Sequence, residues 1–365
     1  MFSPYPTPLD GAPVLLPASR VRRAPPANLD PADRELFAHE FERALPATRL
    51  LELRGVGVSP EGMLFKGRRV LPQSFSSPVI MRGFLARRRS VLKFFVKNYL
   101  LRRRRRFAGE CLWVVDDWSY GYFHWLADAL ARLYAARDLL ERATLLLPRQ
   151  FERMGFVRAS LEVFGVRRVE YVGEDEVGFC ERLLVPTHTA PSGNYNEGVA
   201  RGLRELFAGA YRAAGPAGGR VYLSRGRAPK RRVANEPELL DALREFGFRV
   251  VHFEEHPFAE QVRIAQGARF LVSNHGAGLT NMLFMPEGGS VFELRRDGER
   301  ERNWFFNLAS AMRLKYFYQN CPPLDPAEDA HTADLVVDPR RFRENLELML
   351  GQAEAGPVYP ESGPH

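Results

Sequence analysis

His124 and Asp128 stand four residues apart in the stretch WSYGYFHWLADALARL. If this stretch is helical, residues at that spacing lie on the same side of the helix, one turn apart. A carboxylate that pairs with an imidazole orients the ring and raises its basicity, so either residue could act as a general base. A purely structural His–Asp pair at the start of a helix explains the same spacing. The sequence leaves both interpretations open.

A second candidate site follows an apolar run in FLVSNHGAGLTNMLFM. After a predicted strand that ends at Ser273, the small residues 276–278 would let backbone N–H groups approach a ligand at the start of a helix. His275 adds a side-chain donor, and Thr280 and Asn281 lie one turn further on. The spacing matches neither G-x-G-x-x-G nor a P-loop. Two interpretations remain, a tight strand-to-helix turn and a site that binds an anion.

Cations are concentrated directly after another predicted strand, in YLSRGRAPKRRVANE. The serine and the basic residues of this loop are Ser224, Arg225, Arg227, Lys230, Arg231 and Arg232. Guanidinium groups match phosphate oxygens through paired hydrogen bonds, so the loop is a candidate phosphate site. A solvated loop is the alternative. Asn235 and Glu236 are expected to cap the helix that follows.

Glu293 ends the next predicted strand, SVFEL, about fifteen residues after Gly278. In a parallel α/β sheet, ligands bind beyond the carboxyl ends of the strands, and a carboxylate there can hold ribose hydroxyl groups. An ordinary exposed glutamate at a strand end is the alternative interpretation.

These residues need strands and helices to hold them, and the pattern from residue 111 onward supplies both. Predicted strands and helices alternate in two series, joined at a Gly-rich break near residues 213–219. The strands are continuous Val, Leu and Phe runs, which favours parallel sheets covered on both faces. Before the first series, ATRLLELRGVGVSPEGMLFKGRRVLP alternates apolar and polar residues around a turn and predicts a β-hairpin or small meander.

Length and composition narrow the class of protein. With 365 residues the chain exceeds the usual limit of a single core, roughly 250 to 300 residues. The three cysteines have no CxxC spacing, and no signal peptide or apolar run near 18 residues is found. A reducing cytosol is therefore expected. Disorder is expected only at the Pro-rich ends, residues 1–20 and 356–365.

The net charge of +8 resides in one segment, because residues 81–106 contain eleven Lys or Arg and no acid. Apolar residues lie among these cations, which is typical of an interfacial helix attracted to anionic lipid. Nucleic acid is a competing partner for such a run, although no recognised binding motif accompanies it. A solvated arginine-rich face is the third interpretation.

Three motifs in order carry a resemblance to a known family: GYFHWLAD, then SR with RRVANE, then HGAGLTN followed by VFEL. Together they resemble glycosyltransferase family 61 over roughly residues 110–320. Gly226 stands where an arginine is common in that family, and Ser273 and Asn274 replace a more usual Gly-Pro or Gly-Ala pair.

The resemblance implies an α/β fold of the GT-B type, two Rossmann-like domains that face each other across a cleft, with an N-terminal β-hairpin or meander extension. The expected divisions are residues 1–110 for that extension with the Arg-rich segment, packed on the N-terminal domain, 111–214 for an N-terminal acceptor domain, 220–335 for a C-terminal nucleotide-sugar-binding domain, and 336–365 for a C-terminal helix and tail.

The resemblance also implies roles for individual residues. His124 and Asp128 are the expected catalytic residues on the acceptor side. The expected nucleotide-sugar and diphosphate contacts are Ser224, Arg225, Arg231, His275, Gly276, Ala277, Gly278, Thr280, Asn281 and Glu293. No metal site and no cofactor are expected, in agreement with the absence of D-x-D from the sequence.

The predicted function is inverting, metal-independent transfer of a sugar from a nucleotide-sugar, with a UDP-sugar expected, to a hydroxyl of a glycan or glycolipid. A role in surface or capsular polysaccharide synthesis follows from the family, with the protein cytoplasmic and peripheral at the inner membrane face. The expected partners are the donor, the acceptor and an anionic membrane surface that meets residues 81–106, without nucleic acid. The alternatives are a non-catalytic lipid- or nucleic-acid-binding protein with a vestigial cleft, and a GT-B-fold epimerase.

Overall fold

The structure is a computed structural model that describes residues 3–4, 9, 11–212, 218–329 and 331–352. The C-terminal Pro-rich end and residues 213–217 of the predicted Gly-rich break lie outside the described residues.

The described residues divide into two compact units. Unit 1 lies within Met1–Ser19 and Leu45–Ser192, and unit 2 lies within Arg20–Ala44 and Gly193–His365. The sequence analysis placed the division near residues 214–220, whereas the contacts divide the chain after Ser192 and assign residues 20–44 to unit 2.

The strands lie throughout both units. In chain order they are β1 Ser3–Pro4, β2 Val14–Leu16, β3 Ser19–Arg22, β4 Glu42–Leu45, β5 Thr48–Leu53, β6 Gly57–Val58, β7 Leu64–Lys66, β8 Arg69–Val70, β9 Arg103–Leu112, β10 Thr144–Pro148, β11 Val169–Val172, β12 Glu176–Pro186, β13 Gly219–Leu223, β14 Arg249–Val251, β15 Ala268–Asn274, β16 Ser290–Arg296 and β17 Lys315–Cys321.

The α-helices are α1 Arg34–Phe37, α2 Pro78–Ala86, α3 Arg88–Val96, α4 Tyr122–His124, α5 Leu130–Ala135, α6 Gly155–Val163, α7 Glu197–Ala210, α8 Leu240–Glu245, α9 Phe258–Gly267, α10 Trp304–Ala311 and α11 Pro339–Gly351. Two π-helical turns, Lys97–Leu101 and Trp125–Ala129, continue α3 and join α4 to α5. Short 3-10 helices complete the chain, of which Glu236–Leu239 and Ala277–Phe284 matter below.

Unit 1 is built on one mixed sheet with β12 at its centre. Its strands follow the order β1-β8-β7-β6-β12-β9-β10-β11, with β5 also paired to β12 and β2 to β5. On one side of β12 the strands β9, β10 and β11 form a parallel series, whereas β5 and β6 are antiparallel to β12. The predicted meander is confirmed as β6-β7-β8, whose first turn uses Gly62 at φ 84°.

Unit 2 contains a five-stranded sheet in the order β14-β13-β15-β16-β17, and every pair in it is parallel. If the five strands are numbered by their position in the chain, their order across the sheet is 2-1-3-4-5. The connections therefore leave β13 in opposite directions on its two sides, which opens a crevice beyond the carboxyl ends of β13 and β15. The predicted parallel sheet is confirmed for unit 2, whereas the sheet of unit 1 is mixed, and the α/β class is confirmed.

Some local predictions were wrong at their boundaries. The first twenty residues are not wholly without structure, because β2 pairs with β5 and β3 pairs with β4. The basic segment 81–106 is not one helix, since its last four arginines belong to β9 and pair with β12. That strand ends at Leu112, so the predicted strand CLWVV is displaced toward its N-terminus.

Candidate functional site

The loop after β13 begins the candidate site in unit 2. Ser224 follows the strand and donates to both carboxylate oxygens of Glu236, at 2.8 and 3.0 Å, while Tyr222 donates to Glu236 at 2.7 Å. Glu236 therefore ties the start of the loop to its end. Asn235 makes no side-chain capping bond, because its amide group binds Val337 instead. The expectation of two simple cap residues was wrong.

The cations of this loop have different partners. Arg227 forms an ion pair with Glu255, and Arg232 binds Asp334 through two nitrogen atoms at 2.9 and 3.1 Å. Arg225 donates to the backbone carbonyl groups of Lys230 and Arg231, both at 3.1 Å, and thereby closes the loop on itself. The alternative of a solvated loop is wrong for Arg225, whose side chain is partly buried and structurally engaged.

Arg231 is a partly buried cation of the same loop. Its Nε atom is buried without a hydrogen-bond partner among the described residues. Burial, followed by repulsion from Arg225 and Arg302, lowers the pKa of Arg231 to about 10. Excess positive charge therefore surrounds this guanidinium group, which is the electrostatic condition that an anionic ligand relieves.

A small cavity opens beside Arg231. Its lining residues are Arg231, His275, Arg295, Arg296, Glu299, Arg302, Ala333 and Leu335. The basic members come from the loop after β13, from the residue after β15, and from the end of β16 and the loop beyond it. The cavity thus lies at the carboxyl edge of the parallel sheet, next to the crevice that the strand order creates.

Arg295 adds a second under-satisfied guanidinium group to this cavity. The residue is 2% exposed, and its Nε atom has no hydrogen-bond partner among the described residues. Its other nitrogen atoms donate to Asn303 at 2.9 Å and to the backbone of Glu299, and its guanidinium lies over the ring of Phe37 at 4.6 Å. Arg302 is held 3.5 Å from Glu299, the acidic member of the lining.

His275 is oriented by a buried glutamate. Nδ1 of His275 lies 2.5 Å from Oε1 of Glu293, while Tyr316 donates to Oε2 at 2.6 Å. Glu293 is 1% exposed and lies inside β16, which continues to Arg296. The prediction of a strand end at Glu293 was wrong, and so was the alternative of an exposed residue. Its contact with a nucleotide stays a prediction, whereas its hold on His275 is direct.

The glycine turn is close-packed against the neighbouring loop. A Cβ atom on Gly276 would lie 2.6 Å from Nη1 of Arg225, and one on Gly278 would lie 2.5 Å from Cδ2 of Leu223. A side chain at Gly278 would therefore press on the core, whereas one at Gly276 would displace the end of the Arg225 side chain. The turn leads into the 3-10 helix Ala277–Phe284, so the expected α-helix after HGAG was wrong.

Thr280 and Asn281 are fully buried in that 3-10 helix. Asn281 donates to the backbone of Gly278 at 3.0 Å, and the hydroxyl of Thr280 has no hydrogen-bond partner among the described residues. Their predicted contact with a diphosphate stays a prediction. The structure assigns Asn281 a role in holding the turn that Gly278 begins.

Unit 1 contains the His–Asp pair. Nδ1 of His124 lies 2.7 Å from Oδ2 of Asp128, and Ser192 donates to the same carboxylate oxygen at 2.9 Å. Asp128 lies in the π-helical turn Trp125–Ala129, a rare irregularity that is frequent at functional sites. The predicted pairing is confirmed, and both side chains are largely buried, His124 at 8% and Asp128 at 5% exposure.

A second His–Asp pair lies close to the first. His188 binds Asp116 through Nε2 at 2.8 Å, after β12 and β9 respectively. Burial alone would raise the pKa of Asp116, but His188 and the nearby Arg132 outweigh it and hold the pKa at about 2. Arg132 is fully buried, and both its terminal nitrogen atoms lack partners among the described residues. Its electrostatic partners are Asp116 and Asp128.

The pKa of Asp117 is shifted upward, opposite to that of Asp116. Burial raises its pKa to about 6, with Asp116 adding to the effect, although the N–H of Ser76 donates to Asp117 at 3.0 Å. A carboxyl group with this pKa exchanges a proton near neutral pH, which makes Asp117 a further acid–base candidate.

The sequence analysis missed several of these residues. Arg295 and Arg296 end β16 and Arg302 follows it in ELRRDGERERNW, so the rule that identified the loop after β13 would have found them. Ser192 carries no comparable signal, because only the fold brings the segment after β12 to Asp128.

Comparison with known proteins gives a family match in the same region. Residues 122–292 match the family described as glycosyltransferase 61. This range includes the His–Asp helix, the loop after β13 and the glycine turn.

Curated relatives agree with this match. Protein O-linked-mannose beta-1,4-N-acetylglucosaminyltransferase 2 of Canis lupus familiaris is 31% identical over 290 residues, which are 78% of this chain and 46% of the dog protein. The Bos taurus protein of the same name is 38% identical over 122 residues, which are 33% of this chain and 21% of the bovine protein. EGF domain-specific O-linked N-acetylglucosamine transferase of Drosophila melanogaster is 42% identical over 99 residues, which are 26% of this chain and 18% of the fly protein.

The chain spans less than half the length of each of these three relatives. The matched region nevertheless contains most of the motifs on which the predicted resemblance rests, from Tyr122 through HGAGLTN, and it ends directly before Glu293. Over residues 122–292, the chain is therefore similar to glycosyltransferase family 61.

Proposed function

We propose that this protein is an inverting, metal-independent glycosyltransferase that uses a nucleotide-sugar donor. The observation that carries the proposal is the cavity beside Arg231, lined by four arginines and His275 at the carboxyl edge of the unit 2 sheet. A nucleotide diphosphate matches this cavity in charge, because its oxygens accept from guanidinium groups in pairs. The family relationship supports the reaction class.

In this proposal Arg231 and His275 bind the diphosphate. Negative charge grows on the leaving diphosphate as its bond to the anomeric carbon breaks, so fixed cations stabilise the transition state more than the bound donor. Glu293 holds the Nδ1 side of His275, which orients the ring toward its ligand. Arg295 and Arg302 supply further charge at the same edge.

We assign the proton-accepting role to His124, with Asp128 as its positioning residue. Oδ2 of Asp128 already accepts from Ser192 and contacts His124, so the imidazole is the better placed of the two groups to take a proton. The acceptor oxygen would attack the anomeric carbon while its proton passes to the imidazole. The diphosphate would leave with the bonding electrons, and the anomeric configuration would invert.

The identity of the donor is a finer part of the proposal. The relatives described above are named as N-acetylglucosaminyl- or N-acetylglucosamine transferases, so UDP-N-acetylglucosamine is the first UDP-sugar to test. The acceptor is proposed to be a hydroxyl of a glycan or glycolipid in surface or capsular polysaccharide synthesis. A GT-B arrangement and a peripheral location at the cytoplasmic face of the membrane belong to the same proposal.

The experiment that tests the proposal is a panel of nucleotide sugars, measured for thermal stabilisation of the protein and for release of the nucleotide diphosphate. We expect one UDP-sugar to stabilise the chain most and to be hydrolysed slowly without acceptor. Turnover should persist in EDTA, and NMR of the product should show the inverted anomer.

Two outcomes favour the rival functions. Conversion of the nucleotide-sugar into an isomer without release of diphosphate would indicate an epimerase. Absence of both stabilisation and hydrolysis across the panel would contradict the donor site and favour a non-catalytic binding protein.

A further inference from the structure

We infer that the outer face of α2, α3 and the π-helical turn after them docks on an anionic lipid bilayer. This surface, here called the basic helical face, covers residues 78–101. The inference concerns where the protein binds and does not depend on sugar transfer.

The inner side of this helical pair is fixed to unit 1. Val91, Phe94 and Phe95 are buried in an apolar cluster. Phe65 meets Phe94 edge-on at 5.4 Å. At the end of α3, Arg102 is 8% exposed and forms an ion pair with Glu61. The helices are therefore anchored through their inner residues, and the outer residues are not needed for this packing.

The outer side exposes large apolar side chains. They are Val79 at 64%, Leu92 at 50%, Val96 at 38%, Leu100 at 77% and Leu101 at 74% exposure. Leu92, Val96 and Leu100 are spaced by four residues, about one helical turn, so they share one side, and Leu101 is adjacent to the last of them. Single exposed leucines are ordinary on protein surfaces, but a row of them on one helical side marks an interaction surface.

The same helical segment carries exposed cations that have no acidic partner. Arg82, Arg87, Arg88, Arg89 and Lys93 are exposed and form no ion pair with any described residue. No Asp or Glu occurs anywhere from residue 62 to 109. On an ordinary solvated helix, acidic and basic side chains alternate and pair with one another. Here the charges are of one sign and require an anionic partner.

Exposed apolar side chains that lie among unpaired cations match the chemistry of a lipid interface. Leucine and valine side chains enter the boundary between headgroups and acyl chains, while Lys and Arg contact lipid phosphates. Nucleic acid would use the cations but gives no reason for five exposed aliphatic side chains. None of the described helices is both long enough and apolar enough to cross a bilayer.

Vesicle co-sedimentation at low salt tests the inference with the full chain. We expect binding to vesicles of equal parts phosphatidylglycerol and phosphatidylcholine, weaker binding as NaCl is added, and little binding to phosphatidylcholine alone. Equal binding to neutral and anionic vesicles would overturn the electrostatic part of the inference. Binding to neither would overturn it entirely.

Two variants separate the contributions of charge and of apolar contact. The charge variant combines Arg87→Gln, Arg88→Gln, Arg89→Gln and Lys93→Gln. It should lower the vesicle partition coefficient by about a thousandfold, since each cation near the surface contributes about 1 kcal/mol. The apolar variant combines Leu92→Ser, Leu100→Ser and Leu101→Ser. It should lower the partition coefficient by at least about tenfold.

Matched controls change the same number of exposed residues elsewhere in the chain. The charge control combines Arg153→Gln, Arg158→Gln, Arg167→Gln and Arg249→Gln, and the apolar control combines Val250→Ser, Leu324→Ser and Leu348→Ser. We expect both controls to bind vesicles like the original chain. An equal loss in a control and in its paired variant would overturn the assignment to the basic helical face.

Two further measurements distinguish other occupants. Tight binding of DNA or RNA oligonucleotides, lost in the charge variant and not accompanied by vesicle binding, would replace lipid with nucleic acid. A dimer in solution that dissociates in the apolar variant, again without vesicle binding, would replace lipid with a second copy of the chain. Donor binding measured on the same variants should stay unchanged, which separates failure of this inference from failure of the proposed activity.

Discussion

Arg231 holds a backbone conformation that arginine seldom adopts, with φ at 55°. A non-glycine residue in this region carries a conformational cost of roughly 1–3 kcal/mol. Its guanidinium group is in addition partly buried, has an unpaired Nε atom and is repelled by Arg225 and Arg302. None of these features stabilises the unliganded protein, so the residue is explained by what it binds.

Replacing Arg231 tests that explanation directly. Arg231→Ala should weaken binding of UDP by roughly tenfold to a hundredfold, because a charged hydrogen bond to phosphate contributes about 1.5–3 kcal/mol. The unliganded variant should melt no lower than the original chain, since repulsion among cations is relieved. Calorimetric titration and thermal melting measure the two quantities.

The control is Arg227→Ala, which removes an exposed arginine of the same loop that pairs with Glu255. We expect this variant to change UDP affinity by less than about a factor of three, because an exposed ion pair contributes little free energy. A lower melting temperature for Arg231→Ala with unchanged UDP affinity would give Arg231 a structural role instead.

His124 and Asp128 form a unit in which one residue acts through the other. His124→Ala and Asp128→Asn should each reduce the rate of transfer by roughly a hundredfold to ten-thousandfold, the usual contribution of general base catalysis. UDP affinity should stay unchanged in both. Steady-state transfer assays combined with calorimetry separate turnover from binding.

The control on the same part of the chain is Asp138→Asn, an exposed carboxylate that should leave turnover unaffected. Normal turnover in both His124→Ala and Asp128→Asn would remove the base assignment and turn attention to Asp117. Full activity in Asp128→Asn alone would mean that His124 needs no positioning partner.

At the scale of elements, the carboxyl ends of parallel strands collect residues that are distant in sequence. β13, β15 and β16 end side by side, so the loops after them bring Arg231, His275 and Arg295 to one cavity. The glycine turn makes this convergence possible because it lets the loop after β13 lie directly against the segment after β15. Gly276 touches the guanidinium group of Arg225, and Gly278 touches Leu223 within β13.

The two glycines should therefore respond differently to the same substitution. In Gly276→Ala the new methyl group would displace Arg225, which closes the loop that carries Arg231. We expect weaker UDP binding with little change in stability. In Gly278→Ala the methyl group would press on the buried Leu223, so we expect a loss of about 1–3 kcal/mol in the free energy of unfolding.

Gly209→Ala in α7 is the matched control, because a Cβ there meets no atom within 4 Å. It should leave UDP affinity unchanged and stabilise the helix by up to about 1 kcal/mol. UDP titration and denaturant unfolding on the three variants give the comparison. If Gly276→Ala bound UDP normally, the close approach to Arg225 would have no part in the donor site.

At the scale of the whole molecule, stability should depend on pH through two adjacent carboxyl groups with opposite shifts. The pKa of Asp116 is held at about 2, so its stabilising contribution is present above the ordinary aspartate pKa and is lost as the pH falls toward 2. The pKa of Asp117 is raised to about 6, so its contribution is present below its ordinary pKa and is lost as the pH rises through 6.

Asp117→Asn should remove the second dependence. Between pH 4 and pH 7, the free energy of unfolding of this variant should rise relative to that of the original chain, because the amide never ionises. Denaturant unfolding at several pH values measures the difference. Asp116→Asn is the comparison, and it should destabilise the chain at neutral pH because His188 and Arg132 lose their charged partner. Parallel pH curves for the original chain and Asp117→Asn would contradict the raised pKa.

Much of the site could be predicted because its residues follow strands. Apolar runs identified β13, β15 and β16, and polar residues placed after such strands must lie at one edge of a parallel sheet. The helical spacing of His124 and Asp128 predicted their pairing for the same kind of local reason. What failed was local detail, such as the position of Glu293 within β16 and the 3-10 helix after Gly276, because strand ends and helix types depend on neighbouring packing.

The sequence by itself determined the parallel α/β pattern of unit 2, the His–Asp pair, the glycine turn and the resemblance to a family, since each depends on residue types at short spacing. Only the tertiary structure decided which arginines are neutralised by Glu255 or Asp334 and which line the cavity, because those partners lie far away along the chain. The structure also shows that Glu293, which the sequence placed at the end of a strand, is the buried partner of His275. The fold determines which distant charges pair, so these pairs cannot be predicted from a short stretch of sequence.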